Sequence, residues 1–108
     1  MENVKIKFEL LKDKKVVVEY FITTGIYFDV LSIVDFTFVA YMDKRKKNVW
    51  EIWKVAESIS GLSLSSYGNL TQKGAIEDFR VEAKHNSNRI QNKIKKDLLL
   101  WGPVNNIA

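Results

Sequence analysis

The sequence predicts an α+β domain in which an N-terminal antiparallel hairpin packs against about three helices, the last of them long. Two observations support this fold class. Apolar side chains recur with a period of two over residues 4–10, as in strands. Over residues 71–101 they recur every three or four positions, as in an amphipathic helix. A length of 108 residues fits one core, so we expect a single domain over residues 1–108.

The amino-terminal third is expected to contain the hairpin. Residues 4–10 alternate apolar and charged side chains, which indicates a strand with one face in water. Residues 16–22 are β-branched or aromatic with one charge, which indicates a strand covered on both faces. The short polar stretch 12–14 separates these strands. Farther along, residues 62–64 are compatible with a short third strand, within a loop rich in Ser, Gly and Asn.

Residues 26–42 form the most apolar stretch of the chain. Polar residues at 29, 32 and 35 fall closer to a helical period than to a strand period, so we expect a helix from Asp29. The sequence also leaves a strand open here, because many residues are β-branched and one pleat face would hold Phe28, Val30, Val34, Phe36 and Phe38. Carboxylates are costly in lipid, so Asp29 and Asp35 favour a core segment over a membrane span.

A second helix is expected to begin at Asn48. Asn48 with Glu51 three residues later resembles a capping box, and Gly61 stands where a helix terminator is wanted. Its apolar stripe would comprise Val49, Ile52, Trp53, Ala56 and Ile59.

The long last helix is expected to begin after Thr71, a suitable N-cap residue, and to stop at Gly102 and Pro103. Its apolar face would run from Ile76 to Trp101. Residues 85–88 are poor helix formers and favour a break at that point.

Composition removes several kinds of active site. The chain has no cysteine, which excludes disulfides, thiolate nucleophiles and cysteine-bound zinc. Its one histidine, His85, has no second histidine to share a metal, and its glycines stand singly without a phosphate-binding loop. We therefore expect no enzyme, catalytic residue, metal or cofactor. A carboxylate-based, metal-dependent nuclease using Asp29 and Asp35 is the least favoured hypothesis.

Basic residues supply the candidate binding site. The net charge of +4 arises entirely after residue 42. A basic run lies beside a tryptophan, an arrangement that can hold phosphates and stack bases, and further cations lie in the last helix. The candidate residues for binding nucleic acid or a partner are Lys44, Arg45, Lys46, Lys47, Trp50, Arg89, Lys93 and Lys96.

Taken together, these features predict a small non-enzymatic protein that binds another macromolecule, as an inhibitor, an adaptor or an assembly component. We expect another protein as the partner, with DNA or RNA binding as the alternative, a homodimer as an option and no membrane. The amino terminus has no secretory apolar run, which favours the cytoplasm. Abundant Lys, Ile and Asn are typical of AT-rich bacterial and mobile-element genomes, which favours a bacterial or phage origin.

Overall fold

The computed structural model describes residues 2–43, 52–65 and 68–105. Its four strands form one antiparallel sheet in sequential order, and one helix packs against the sheet. The elements are β1 Glu2–Lys12, β2 Lys15–Val30, β3 Ile33–Asp43, β4 Ile52–Glu57 and α1 Gln72–Trp101. The predicted α+β class is confirmed. The prediction of about three helices is wrong, because the described residues contain one helix and four strands.

The predicted hairpin is confirmed as β1 and β2, which pair from Glu2 with Gly25 to Lys12 with Lys15. Asp13 and Lys14 form the two-residue turn, with φ of 51° and 63°. A turn with two positive φ values matches the right-handed twist of the strands it joins. The two-residue turn thus fixes the register in which β1 and β2 pair.

The helix predicted from Asp29 is wrong, because this segment forms the end of β2, a tight turn and β3. A register shift between Asp29 and Val30 interrupts the strand period. The polar positions 29, 32 and 35 lie at the end of β2, in the turn and on β3, so their spacing comes from three different elements instead of from one helix. The β-branched and aromatic content, which favoured a strand, determines the outcome, and both sheet faces are covered over residues 38–41 of β3.

The helix predicted from Asn48 is also wrong over its described part. Residues 52–57 form β4, in which Val55 and Ala56 lie opposite Ala40 and Val39 of β3. Asn48, Val49 and Glu51 lie outside the described residues. Gly61 does not end a helix; it follows the turn at residues 58–60 with a φ of 69°.

Residues 61–64 join the two edges of the sheet. On one side, the Glu57 amide donates to the Leu62 carbonyl and the Leu64 amide donates to the Val55 carbonyl, at 3.0 and 2.9 Å. On the other side, the Lys7 amide donates to the Gly61 carbonyl at 2.7 Å and the Lys7 carbonyl accepts from Ser63 at 3.2 Å. Because one segment pairs with both β1 and β4, the sheet closes into a small barrel.

Closure gives the sheet an inner and an outer face, each with its own core. The inner cluster consists of Val4, Ile6, Val39, Tyr41 and Ala56, against which Phe21 and Tyr27 pack. The outer cluster lies between the sheet and α1 and includes Phe28, Phe38, Val55, Phe79, Ala83, Ile90 and Ile94. Apolar residues are therefore buried on both faces of β3 and β4.

The predicted start and end of α1 are confirmed. The Thr71 hydroxyl accepts from the Gly74 amide at 3.0 Å, and the Gly102 amide donates to the Leu98 carbonyl. At Asn86, inside the run of poor helix formers where the sequence favours a break, the backbone is non-helical, with φ of −128° and ψ of 30°, and α1 kinks between two helical halves. No helix among the described residues is both long and apolar enough to cross a membrane.

The tail after α1 returns to the barrel. The Asn105 side chain accepts from the Lys5 amide at 2.9 Å and donates to the carbonyls of Lys5 and Ser58, each at 2.8 Å. The Asn105 side-chain amide thus bonds to the backbone of Lys5 as a neighbouring strand would. Lys5 lies two residues before Lys7, which pairs with residues 61–63 on the same side of β1.

Candidate functional site

The predicted binding residues divide into two groups. Lys44, Arg45, Lys46, Lys47 and Trp50 lie outside the described residues. Arg89, Lys93 and Lys96 lie exposed on the second half of α1, where the spacing of four and three places them along one side of the helix.

The second half of α1 is cationic on its exposed surface. Arg89, Lys93, Lys95 and Lys96 are all exposed, and none of them forms an ion pair within the described residues. The acid in this stretch, Asp97, is buried and paired with Lys7. The helix therefore presents positive charge without an exposed carboxylate between residues 86 and 101.

A larger feature lies on the barrel wall beside the end of α1. Alternate side chains of β2 point outward, and α1 covers the last of them, Phe28, to 9% exposure. The earlier members of the row have no such cover: Ile22 is 70% exposed and Val16 is 60% exposed. We call the apolar members of this row the outer β2 face; they are Val16, Val18, Tyr20, Ile22 and Ile26, with Thr24 between the last two.

A cleft of about 390 Å³ continues this surface toward the end of α1. Val16 belongs to both features, so the apolar surface is continuous from β2 to the helix. Leu100 and Trp101, which are 66% and 46% exposed, form the helix side of the cleft. We call it the terminal cleft; its lining is Glu9, Val16, Leu62, Lys93, Lys96, Asp97, Leu100 and Trp101.

The edge of β1 is open beside the terminal cleft. Backbone groups of alternate residues point away from β2. Those of Lys5 bond to Asn105 and those of Lys7 bond to Gly61 and Ser63. Glu9 and Leu11 are the next two residues on the same side, and within the described part of the chain their amides and carbonyls have no partner there. Four backbone groups are thus available to a further strand.

A second cleft of about 390 Å³ lies beside the first half of α1 and is acidic. It is lined by Trp53, Phe79, Asp78 and Glu82 among others, and the Asp78 carboxylate accepts a hydrogen bond from the side-chain amide of Asn69. The described residues hold no group of three His, Asp or Glu side chains arranged to bind a metal.

The other residues weighed as catalytic lie on the surface. Asp29 and Asp35 are exposed near the turn between β2 and β3, and Asp29 accepts a hydrogen bond from the Thr37 hydroxyl at 3.5 Å. His85 is exposed on α1. None of the three lines either cleft.

Sequence reasoning missed the outer β2 face, because it treated residues 16–22 as covered on both sides. A usable signal was present. Val16, Val18, Tyr20 and Ile22 alternate with residues of which Val17 and Phe21 are also apolar. Two apolar faces on one strand require two covering layers, and a single long helix supplies cover to only part of a barrel wall.

No protein-family model matches the chain, and no curated protein or solved structure matches it either. Functional interpretation therefore rests on the geometry of the described residues.

Proposed function

We propose that this protein acts without catalysis, by docking on another protein through the outer β2 face and the terminal cleft. The carrying observation is the row of exposed apolar side chains on β2, in which Ile22 and Val16 are 70% and 60% exposed. Soluble proteins rarely leave contiguous apolar patches larger than a few hundred Å² without a binding role. An inhibitor, an adaptor and an assembly component all use surfaces of this kind.

The composition of the surface also suits a protein interface. Tyr20 and Trp101, which are 47% and 46% exposed, are residue types that often dominate binding energy. Covering the exposed part of Ile22 would contribute about 1–2 kcal/mol, from the usual gain for burying an aliphatic side chain. Lysines flank the apolar residues; Lys5, for example, lies 5.8 Å from the centre of the Tyr20 ring. The result is an apolar centre with a polar rim.

The test compares two charge insertions at exposed apolar positions. Ile22→Glu lies on the outer β2 face, and Val34→Glu, at a residue that is 83% exposed near the β2–β3 turn, is the control. After a partner has been isolated by affinity capture with the unmodified protein, calorimetry gives Kd for each variant. Ile22→Glu is expected to weaken binding at least hundredfold and Val34→Glu less than threefold.

The free energy of unfolding, measured for both variants, shows that each still folds. Equal Kd values for Ile22→Glu and the unmodified protein, or equal losses in the two variants, contradict docking through this face.

Nucleic-acid binding is the second candidate, and the exposed cations of α1 favour it. Arg89, Lys93, Lys95 and Lys96 form a basic surface that can contact phosphates. The logarithm of the affinity for a DNA or RNA duplex should then fall linearly with the logarithm of salt concentration. Arg89→Glu should reduce the steepness of this fall by at least the amount that one phosphate contact contributes, about 0.9 on duplex DNA. Aliphatic side chains such as Ile22 offer bases no hydrogen bonds, so we place this candidate second.

A further inference from the structure

We infer that the partner contributes an extended, acidic segment, which adds as a strand to the open β1 edge at Glu9 and Leu11 and seats apolar side chains in the terminal cleft. This inference rests on the proposed docking function and specifies the occupant. Strand addition is a common way for a sheet edge to bind a peptide, because backbone hydrogen bonds supply affinity and alternate side chains supply specificity.

Among the described residues, the outward backbone groups of β1 are paired at its start and open farther along. Lys5 and Lys7 already use their outward backbone groups, through Asn105 and residues 61–63. The barrel closure therefore stops at Lys7, and within the described part of the chain β1 continues unpaired on that side through Glu9 and Leu11 to Lys12. Both residues are exposed, Leu11 to 75%, so an incoming chain can reach their backbone.

The terminal cleft lies alongside the open part of β1. Glu9 lies on its lining, so a strand added beside Glu9 runs along the cleft. Successive side chains of a strand point to opposite faces. Every second residue of the added segment would therefore face Val16, Leu100 and Trp101, an apolar surface that favours aliphatic side chains in the partner.

The exposed charges in and beside the terminal cleft are mainly positive. The exposed charges of the cleft lining are Lys93 and Lys96 against Glu9, since Asp97 is paired with Lys7. At the nearby end of the hairpin Lys14 and Lys15 outnumber Asp13, and neither lysine forms an ion pair within the described residues. Carboxylates at the ends of the added segment would meet these cations, whereas a basic segment would be repelled.

The same charges disfavour a second copy of this chain as the occupant. An isologous dimer places the surface against a copy of itself, and each copy carries two exposed lysines against one exposed glutamate in the cleft lining, so like charges outnumber opposite ones across the contact. The net charge of +4 adds to the repulsion.

Synthetic peptides of defined sequence test the inference. The probe is the acetylated, amidated heptapeptide Glu-Thr-Val-Thr-Val-Thr-Glu, in which one face carries two valines between two glutamates. The first control replaces both glutamates with lysine, and the second carries N-methyl groups on alternate backbone nitrogens. Binding is followed by nuclear magnetic resonance, with amide hydrogen exchange as the readout for the β1 edge.

The glutamate peptide is expected to slow exchange of the Glu9 and Leu11 amides at least tenfold at saturation. The lysine peptide and the N-methylated peptide are each expected to bind at least tenfold more weakly. Equal binding of the glutamate and lysine peptides overturns the charge assignment, and unchanged exchange at Glu9 and Leu11 overturns strand addition.

Matched variants of the protein give a second, independent measurement. Glu9→Pro removes one outward amide at an edge position that tolerates proline, and Glu9→Ala keeps that amide. Glu9→Pro is expected to weaken binding of the glutamate peptide at least tenfold, whereas Glu9→Ala leaves it equal or tighter. Lys93→Glu, inside the cleft, is expected to weaken it about tenfold, and Lys95→Glu, outside the lining, less than threefold.

Failure of this inference and failure of the docking function give different results. If Ile22→Glu abolishes binding of an isolated protein partner but Glu9→Pro does not, the outer β2 face docks partners without strand addition, and the inference is overturned alone. If light scattering shows concentration-dependent dimers that Glu9→Pro disrupts, a second copy occupies the edge and the acidic partner is overturned.

Discussion

The Lys7 ammonium donates to Oδ2 of Asp97 at the contact between β1 and α1, where the two side chains are 0% and 4% exposed. The other carboxylate oxygen of Asp97 is buried and has no hydrogen-bond partner among the described residues. Two opposite charges are therefore enclosed at the place where the end of α1 meets the barrel. Such a pair stabilises little by itself, but removal of one member leaves a buried charge without compensation.

Asp97→Ala is accordingly expected to lower the free energy of unfolding by about 3–5 kcal/mol, whereas the double variant Lys7→Met, Asp97→Leu should lie within about 1 kcal/mol of the unmodified protein. Urea denaturation followed by circular dichroism measures both. A double variant that is as unstable as Asp97→Ala would show that the ion pair itself, and not the orphaned lysine, determines stability here.

Gly61 is expected to tolerate no side chain. Its φ is 69°, and an added Cβ would lie 2.5 Å from the Lys5 carbonyl oxygen and 2.7 Å from Cγ2 of Val104. Gly102→Ala is the control, because Gly102 has a φ of 73° but no atom within 4 Å of the added Cβ. Gly61→Ala should therefore cost about 1–3 kcal/mol more than Gly102→Ala in thermal or urea unfolding, the usual cost of overpacking. Equal losses would show that backbone strain alone matters.

Lys14→Gly is expected to stabilise the protein by about 0.5–1 kcal/mol, because a side chain at positive φ is strained and glycine is not. The φ of Lys14 is 63° in the turn between β1 and β2. Lys15→Gly makes the same chemical change one residue later, in β2, where glycine weakens a strand. Opposite shifts of the urea midpoint are expected for the two variants, and a loss in both would contradict this account of the turn.

Stability is expected to fall at high pH partly through Tyr27. Burial raises the pKa of the Tyr27 hydroxyl above its ordinary value of 10.0, and the nearby carboxylate of Glu2 raises it further. The unfolded chain therefore releases this proton first, so the contribution is fully present below pH 10.0 and is lost as pH rises through the folded pKa.

Tyr27→Phe removes this titration, so it should lose less stability than the unmodified protein between about pH 9 and pH 11. Parallel urea series across that range provide the comparison. Identical pH profiles for the two proteins would rule out Tyr27 as a contributor.

Local signals in the sequence predicted the local parts of the fold. The alternation before Lys12, the cap at Thr71 and the stop at Gly102 each depend on neighbouring residues, and each is confirmed. The candidate binding residues Arg89, Lys93 and Lys96 were placed in the last helix, and they lie exposed on α1.

Features that depend on distant residues escaped prediction. The irregularity after Asp29 disturbed the strand period, and β4 is stabilised by pairing with β3 instead of by its own pattern. The open edge at Glu9 follows from where residues 61–63 stop pairing, and no local pattern encodes that position. The candidate site therefore became visible only with the barrel in place.

The contact between Lys5 and Asn105, 100 positions apart, also bears on how the protein is made. The ribosome makes Asn105 100 positions after Lys5, so the growing chain holds β1 long before this partner exists. Until Asn105 is made, the outward amide and carbonyl of Lys5 lack this hydrogen-bond partner, as those of Glu9 do. The nascent chain therefore has a longer unpaired β1 edge than the folded protein. A chain truncated before Asn105 should consequently aggregate more readily than the intact chain.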